Sequence, residues 1–205
     1  MPNRILTIVL LSGMALLSSA CQYTELPATP LVEAARERLN HEVRYDAAYV
    51  SIAYPNGDVP GNTGVCTDVV IRAYRGIGID LQQRVHEDMA ANFDLYPSRR
   101  IWGLKGTDTN IDHRRVPNLQ TFFIRAGGEL PISDKAVDYR PGDLVTWHIE
   151  GAGPHIGIVS NVVTRDGVPL IIHNIGYGPT MNDMLFDYPI TGHYRYEPVA
   201  MISES

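Results

Sequence analysis

The stretch His155-Ile156-Gly157-Ile158-Val159-Ser160-Asn161-Val162-Val163, continued by Thr164-Arg165-Asp166-Gly167-Val168-Pro169 and then Leu170-Ile171-Ile172-His173-Asn174-Ile175, decides the fold class. Two β-branched runs flank Asp166-Gly167, a hairpin turn signal, so the segment reads as two antiparallel strands. Immediately upstream, Pro141-Gly142-Asp143 is a turn that opens a further strand over Leu144 to Ile149, and His193 to Tyr196 supplies a last short one. Further upstream the period changes. Apolar residues at 31, 32, 35, 39 and 43 have helical spacing, and Cys66 begins a second helix that stops near Gly76 or Gly78. Residues 81–92 suggest a third helix, and Asn118 is placed to cap a fourth that ends at Gly127-Gly128. Residues 54–64 are too rich in Pro, Gly and Asn for regular structure, and 94–117 form a long irregular stretch of the kind that often carries function. Helices first and an antiparallel sheet second predict an α+β domain with N-terminal helices packed on the sheet.

The N-terminus reads as an export signal over residues 1–20. Arg4 provides the positive end, Ile5 to Leu17 the apolar stretch, and Ser18-Ser19-Ala20 the small residues before cleavage. Leu17-Ser18-Ser19-Ala20-Cys21 resembles a bacterial lipobox, which implies lipidation of Cys21; simple cleavage after Ala20 is the alternative. Gln22 is no inner-membrane retention signal, so the expected address is the outer membrane, facing the periplasm. Residues 21–30, with Pro27 and Pro30, read as a tether, and 31–205 as one domain. A net charge of −6 with no basic block excludes a nucleic-acid partner, and the composition is that of an ordinary globular monomer.

Once Cys21 is used at the anchor, Cys66 is the one remaining cysteine. It sits where a glycine-rich loop becomes a helix, and a helix start favours the thiolate. A thiol nucleophile needs an imidazole base and a third polar group to orient the ring. His155, at the rim of the sheet after Gly153-Pro154, is the expected base. The orienting residue is His173 or Asn174, and the register decides between them. A two-residue turn at Asp166-Gly167 pairs Val159 with Asn174 and sets Asn174 on the face of His155; a bulge or a three-residue turn selects His173 instead. No histidine spacing matches a metal site: His86-Glu87 has alanine where a zincin helix needs its second histidine. No glycine-rich phosphate loop is present, and no cofactor is expected.

With these residues in place, the chain resembles the papain-like clan, and within it the NlpC-type cell-wall peptidases. The likeness rests on Cys66 at a helix start, Pro141-Gly142-Asp143-Leu144-Val145, His155-Ile156-Gly157-Ile158-Val159 and Ile171-Ile172-His173, in that order. It implies a papain-like fold, Cys66 as nucleophile, His155 as base and His173 as orienting residue. Tyr54, twelve residues before Cys66, stands where that family places a tyrosine near the oxyanion or substrate. Asp112-His113-Arg114-Arg115-Val116-Pro117-Asn118 and His173-Asn174-Ile175-Gly176 also resemble a bacterial family of unassigned activity in the same clan. Val65 and Asp68 depart from the usual Asp-Cys-Ser-Gly nucleophile pattern, and Asp68 would oppose thiolate formation if close. Arg114 and Arg115 are expected to hold a substrate carboxylate. The implied activity is hydrolysis of an amide bond in peptidoglycan or another envelope peptide. Two other classes fit the same residues: an envelope-binding lipoprotein without catalysis, and a thiol acyltransferase or esterase.

Overall fold

The computed structural model describes residues 23–198. The export signal and Cys21 therefore lie outside the described residues. In chain order the regular elements begin with β1 (Tyr23–Glu25), α1 (Pro30–Glu37), β2 (Arg44–Tyr45), β3 (Thr63–Gly64) and α2 (Cys66–Gly76). Three more helices follow, α3 (Leu81–Ala91), α4 (Ser98–Trp102) and α5 (Val116–Arg125). The C-terminal part supplies β4 (Glu129–Leu130), β5 (Leu144–Ile149), β6 (Gly153–Thr164), β7 (Pro169–His173), β8 (Thr180–Asn182) and β9 (Ile190–Tyr194). The domain is α+β, as the order of periodicities predicts.

The main sheet runs β4-β9-β5-β6-β7-β8, and its neighbouring strands are antiparallel. β1 pairs with the far end of β6, and Leu26 N–H bonds to the Asn161 carbonyl. This corrects the expected tether: residues 23–25 are part of the sheet, and the Glu25 carboxylate is bonded to Arg36 on α1.

Each helix starts and stops for an identifiable reason. Thr29 caps α1 by accepting from Val32 N–H, with Pro30 in the first turn. Asp80 caps α3 through Gln82 N–H, and α4 ends on Gly103 in the left-handed region. α5 begins at Val116, not at Asn118. Pro117 fits the first turn because its missing N–H costs nothing there. Asn118 is instead buried, accepting from Ser98 Oγ and donating to the Asp112 carbonyl.

Alternation along the strands divides the interior in two. Leu144, Ile156, Ile158 and Ile172 face the helices, where they meet Val69, Val70, Ala73 and Phe123. Val145, Trp147, Val159 and Ile171 face outward and are covered by Tyr139, Met184 and Leu185. The indole N–H of Trp147 donates to the Leu185 carbonyl at 2.9 Å, which satisfies the polar end of a fully buried ring.

The turn between β6 and β7 settles the register. Thr164 N–H bonds to the Val168 carbonyl, closing a three-residue loop over 165–167 with Gly167 at φ 80°. Between Val159 and Val163 the register shifts again, since four steps on β6 match two on β7. Ser160 Oγ satisfies this irregularity by bonding to both the N–H and the carbonyl of Val162. A two-residue shift preserves the faces; the odd-length turn is what changes them. Val159 therefore opposes Ile171, and Gly157 falls opposite His173.

Candidate active site

Cys66 is the first residue of α2 and is 5% exposed. Val65 precedes it in extended conformation and has no side chain able to cap a helix. Asp68 does that work from inside the first turn, its Oδ2 accepting from Val65 N–H at 2.6 Å. The same carboxylate is held in a two-point ion pair by Arg114, with Nε–Oδ1 and Nη2–Oδ2 both 2.9 Å and both side chains 2% exposed. Thr67 Oγ donates to the Arg114 carbonyl. The helix start is thus clamped to the 112–114 turn at two consecutive residues. Asp68 is paired with Arg114 and the Val65 amide, and its charge still opposes the thiolate, as expected, by helping to raise the Cys66 pKa.

The backbone N–H groups of Ile156, Thr67 and Cys66 itself act on the Cys66 sulfur and pull its pKa down. The Ile156 contact follows from where β7 ends. Val159 exchanges bonds with residues 142 and 143 on the β5 side, so the even-numbered amides of β6 point toward β7. β7 stops at His173, one residue short of the position opposite Ile156. The amide left over acts on the Cys66 thiol and lowers its pKa.

His155, next along β6, lies on the outward face with Trp147, their ring centroids 6.0 Å apart. His173 shares that face, and His155 Nε2 is 2.9 Å from His173 Nδ1. The pairing leaves Nδ1 of His155 for a second partner. Among the described residues no hydrogen bond joins the Cys66 sulfur to either ring. Burial first, and then the His173 ring, pushes the His155 pKa down to about 3. Burial alone takes His173 down to about 4. Burial also raises the Cys66 thiol to about 11, outweighing the three amides that pull it down. At neutral pH the thiol and both imidazoles rest neutral. The helix-start expectation of a ready thiolate is corrected: desolvation is the larger effect.

Asn174 points to the helical side. Its Oδ1 accepts from Gly176 and Gly178 N–H, and its Nδ2 donates to the Gly64 carbonyl. It shapes the loop after β7 and ties it to the approach to Cys66, while His173 makes the imidazole contact.

The expected substrate groups fall elsewhere. Tyr54 is exposed and packs edge-on against His86 of α3, with centroids 5.0 Å apart. Tyr45, itself exposed, lies near enough for the Cys66 charge to act on its phenol. It pairs with Gly64 across β2 and β3, and burial, then the Cys66 and Asp68 charges, raise its phenol above the ordinary range. Sequence reasoning missed Tyr45 because a two-residue strand pairing gives no periodic signal; Arg44-Tyr45 before the proline-rich loop was its only trace. Arg114 is buried against Asp68, which corrects its expected role as a carboxylate clamp on the surface. Arg115 is partly exposed, its guanidinium 4.1 Å from the Trp102 ring centroid.

The profile described as "Domain of unknown function (DUF1287)" matches residues 32–196. An Escherichia coli (strain K12) relative, "Uncharacterized protein YijF", is 51% identical over 166 residues, covering 81% of this chain and 80% of its own. Among solved structures, "Structure of NlpC1 from Trichomonas vaginalis" aligns with a TM-score of 0.42 at 14% identity. That alignment covers 81% of this chain and 42% of the other, so it spans under half of that structure.

Proposed function

The chain belongs to the DUF1287 family, and we propose that it is a cysteine hydrolase of the papain-like, NlpC type, acting on an amide bond in peptidoglycan or a related envelope peptide. The observation that carries this reading is the His155–His173 hydrogen bond across two neighbouring strands, beside Ile156, whose amide acts on the Cys66 thiol. In the reaction the Cys66 thiol proton passes to His155 Nδ1 as the sulfur adds to the carbonyl carbon. His173 Nδ1 accepts from His155 Nε2–H, which fixes the tautomer and faces the imidazolium that forms. The Cys66 N–H and the Tyr45 hydroxyl would meet the developing oxyanion. Collapse breaks the C–N bond, the amine leaves with the proton from His155, and water then hydrolyses the thioester. The lipobox-like Leu17 to Cys21 stretch would anchor the domain at the outer membrane facing this substrate.

Cys66→Ala tests the mechanism. Hydrolysis of envelope peptide fragments is expected to vanish while the circular dichroism spectrum and melting temperature stay close to wild type. Hydrolysis retained in the variant would refute the assignment.

A second reading, an envelope-binding protein without catalysis, is favoured by the thiol's burial and raised pKa. The two separate on substrate addition: fragments that accumulate a thioester on Cys66, seen by mass spectrometry of acid-quenched protein, support the hydrolase. Fragments that bind without acylation support the alternative.

A further inference from the structure

Tyr177 is 98% exposed, yet the loop that presents it is fixed. Asn174 Oδ1 accepts from the N–H groups of Gly176 and Gly178, the two neighbours of Tyr177, at 3.0 and 3.2 Å. Both glycines have positive φ, 140° and 93°, so a side chain at either position would be strained. A Cβ on Gly178 would also stand 3.2 Å from the Val43 carbonyl, so the loop closes against the chain entering β2. Single exposed rings are ordinary; a ring held out by a pinned loop presents an unused apolar face. This one stands at a cleft of about 530 Å³, a size that holds small-molecule ligands. Glu42 and Arg44 line the cleft from the approach to β2, and Asn62 from the approach to β3. The cleft lies beside the candidate site. Asn174 Nδ2 donates to the Gly64 carbonyl, and Gly64 pairs with Tyr45. Asn62 is four residues before Cys66, which limits their Cα separation to about 14 Å.

We propose that this cleft is a sugar subsite, in which one ring of a glycan stacks on Tyr177. The uncommitted groups select the class. Arg44 is paired with Asp46 at 2.9 Å, and His41 Nε2 lies 3.9 Å from Glu37. Among the described residues, the Glu42 carboxylate, the Asn62 side-chain amide and the Tyr177 hydroxyl have no hydrogen bond. A sugar ring matches that set. Its C–H face covers the phenol ring, and hydroxyl or acetamido groups around its edge donate to Glu42 and exchange bonds with Asn62. A free carboxylate would find Arg44 taken and Glu42 opposing it, and an ammonium would meet Arg44 beside Glu42. For the proposed hydrolase, this makes the substrate a peptide still joined to an amino sugar. That extension rests on the hydrolase reading; sugar binding does not.

The test is titration of the full chain with the tetramer of N-acetylglucosamine and, separately, with a sugar-free peptide bearing a free amino group and a free carboxylate. Nuclear magnetic resonance of the tyrosine rings and asparagine side-chain amides reads both. The tetramer is expected to bind saturably and to shift Tyr177 and Asn62. Tyr177→Ala is expected to weaken binding roughly tenfold or more, with the melting temperature near wild type because the ring is exposed. Tyr177→Phe keeps the ring face and should retain most of the affinity, while Glu42→Gln should weaken it. Absence of a saturable shift, equal binding by Tyr177→Ala, or tighter binding of the sugar-free peptide at the same signals would overturn the proposal. In turnover, Tyr177→Ala is expected to lose roughly tenfold of the preference for sugar-bearing over sugar-free peptide; an unchanged preference refutes that substrate. Because binding is read without turnover, a chain that binds the tetramer and hydrolyses neither substrate refutes the hydrolase and leaves the subsite standing.

Discussion

Cys66 meets three backbone amides, yet burial dominates its acidity and raises it to about 11. Its alkylation by iodoacetamide in the unliganded protein is therefore expected to be slower than that of free cysteine at pH 8. The rate should climb through pH 9 to about 11. A plateau below pH 7 would instead indicate a resting thiolate–imidazolium pair. One strand away, His173 and Asn174 are adjacent residues with separate work. His173→Ala is expected to reduce kcat by roughly 10²–10⁴-fold, as loss of an orienting group does, with little change in melting temperature. Asn174→Ala leaves two glycine amides without their acceptor and should cost about 1–3 kcal/mol of stability in denaturant titration. Reversed effects would exchange their roles. The sequence narrowed the choice to these two neighbours and went no further, because the parity of one turn assigns the face.

α2 is the element on which the site depends, and its N-terminus is held by charge rather than by a conventional cap. Asp68 bonds the Val65 amide, and Arg114 closes a two-point pair with it from 46 residues away. Leaving Asp68 buried and unpaired is costly, so Arg114→Leu is expected to destabilise the protein by about 3–5 kcal/mol in urea denaturation. Combining it with Asp68→Asn should recover part of that loss by removing the stranded charge. A change within about 0.5 kcal/mol for Arg114→Leu would mean that the pair is solvated and not a clamp. Here the sequence displayed both partners and disguised their relation. Asp68 read as an opponent of the thiolate and Arg114 as a clamp for a substrate carboxylate, since nothing local links residues so far apart.

For the whole molecule, burial acts on three histidines, two on the sheet and one in the 112–114 turn. His155 is pushed down to about 3, and His173 and His113 to about 4, with burial the leading cause in each. Each pKa is lower in the folded state than in the unfolded chain, where histidine titrates near ~6.5. The unfolded state therefore binds more protons between those limits. Stability is full above about pH 6.5 and is lost progressively as pH falls through 4 toward 3. Chemical denaturation at pH 7.5, 5.5 and 4.5 should show it, and replacing His113 by a neutral residue of similar size should flatten the curve. Equal stability at all three values would mean that these rings are solvated.

Much of this architecture was legible in the chain. Local periodicity and turn chemistry gave the α+β order, the start of α2 at Cys66, and the β5, β6 and β7 strands, because those signals lie within a few residues of one another. The order of Cys66, His155 and His173 was equally visible. Tertiary structure alone decided the rest: the face of His173, the pairing of β1 with β6, the packing of Tyr54 on His86, and the burial of Arg114. Each of these depends on contacts between distant segments, or on the count of residues in one turn, and local sequence periodicity carries no record of either.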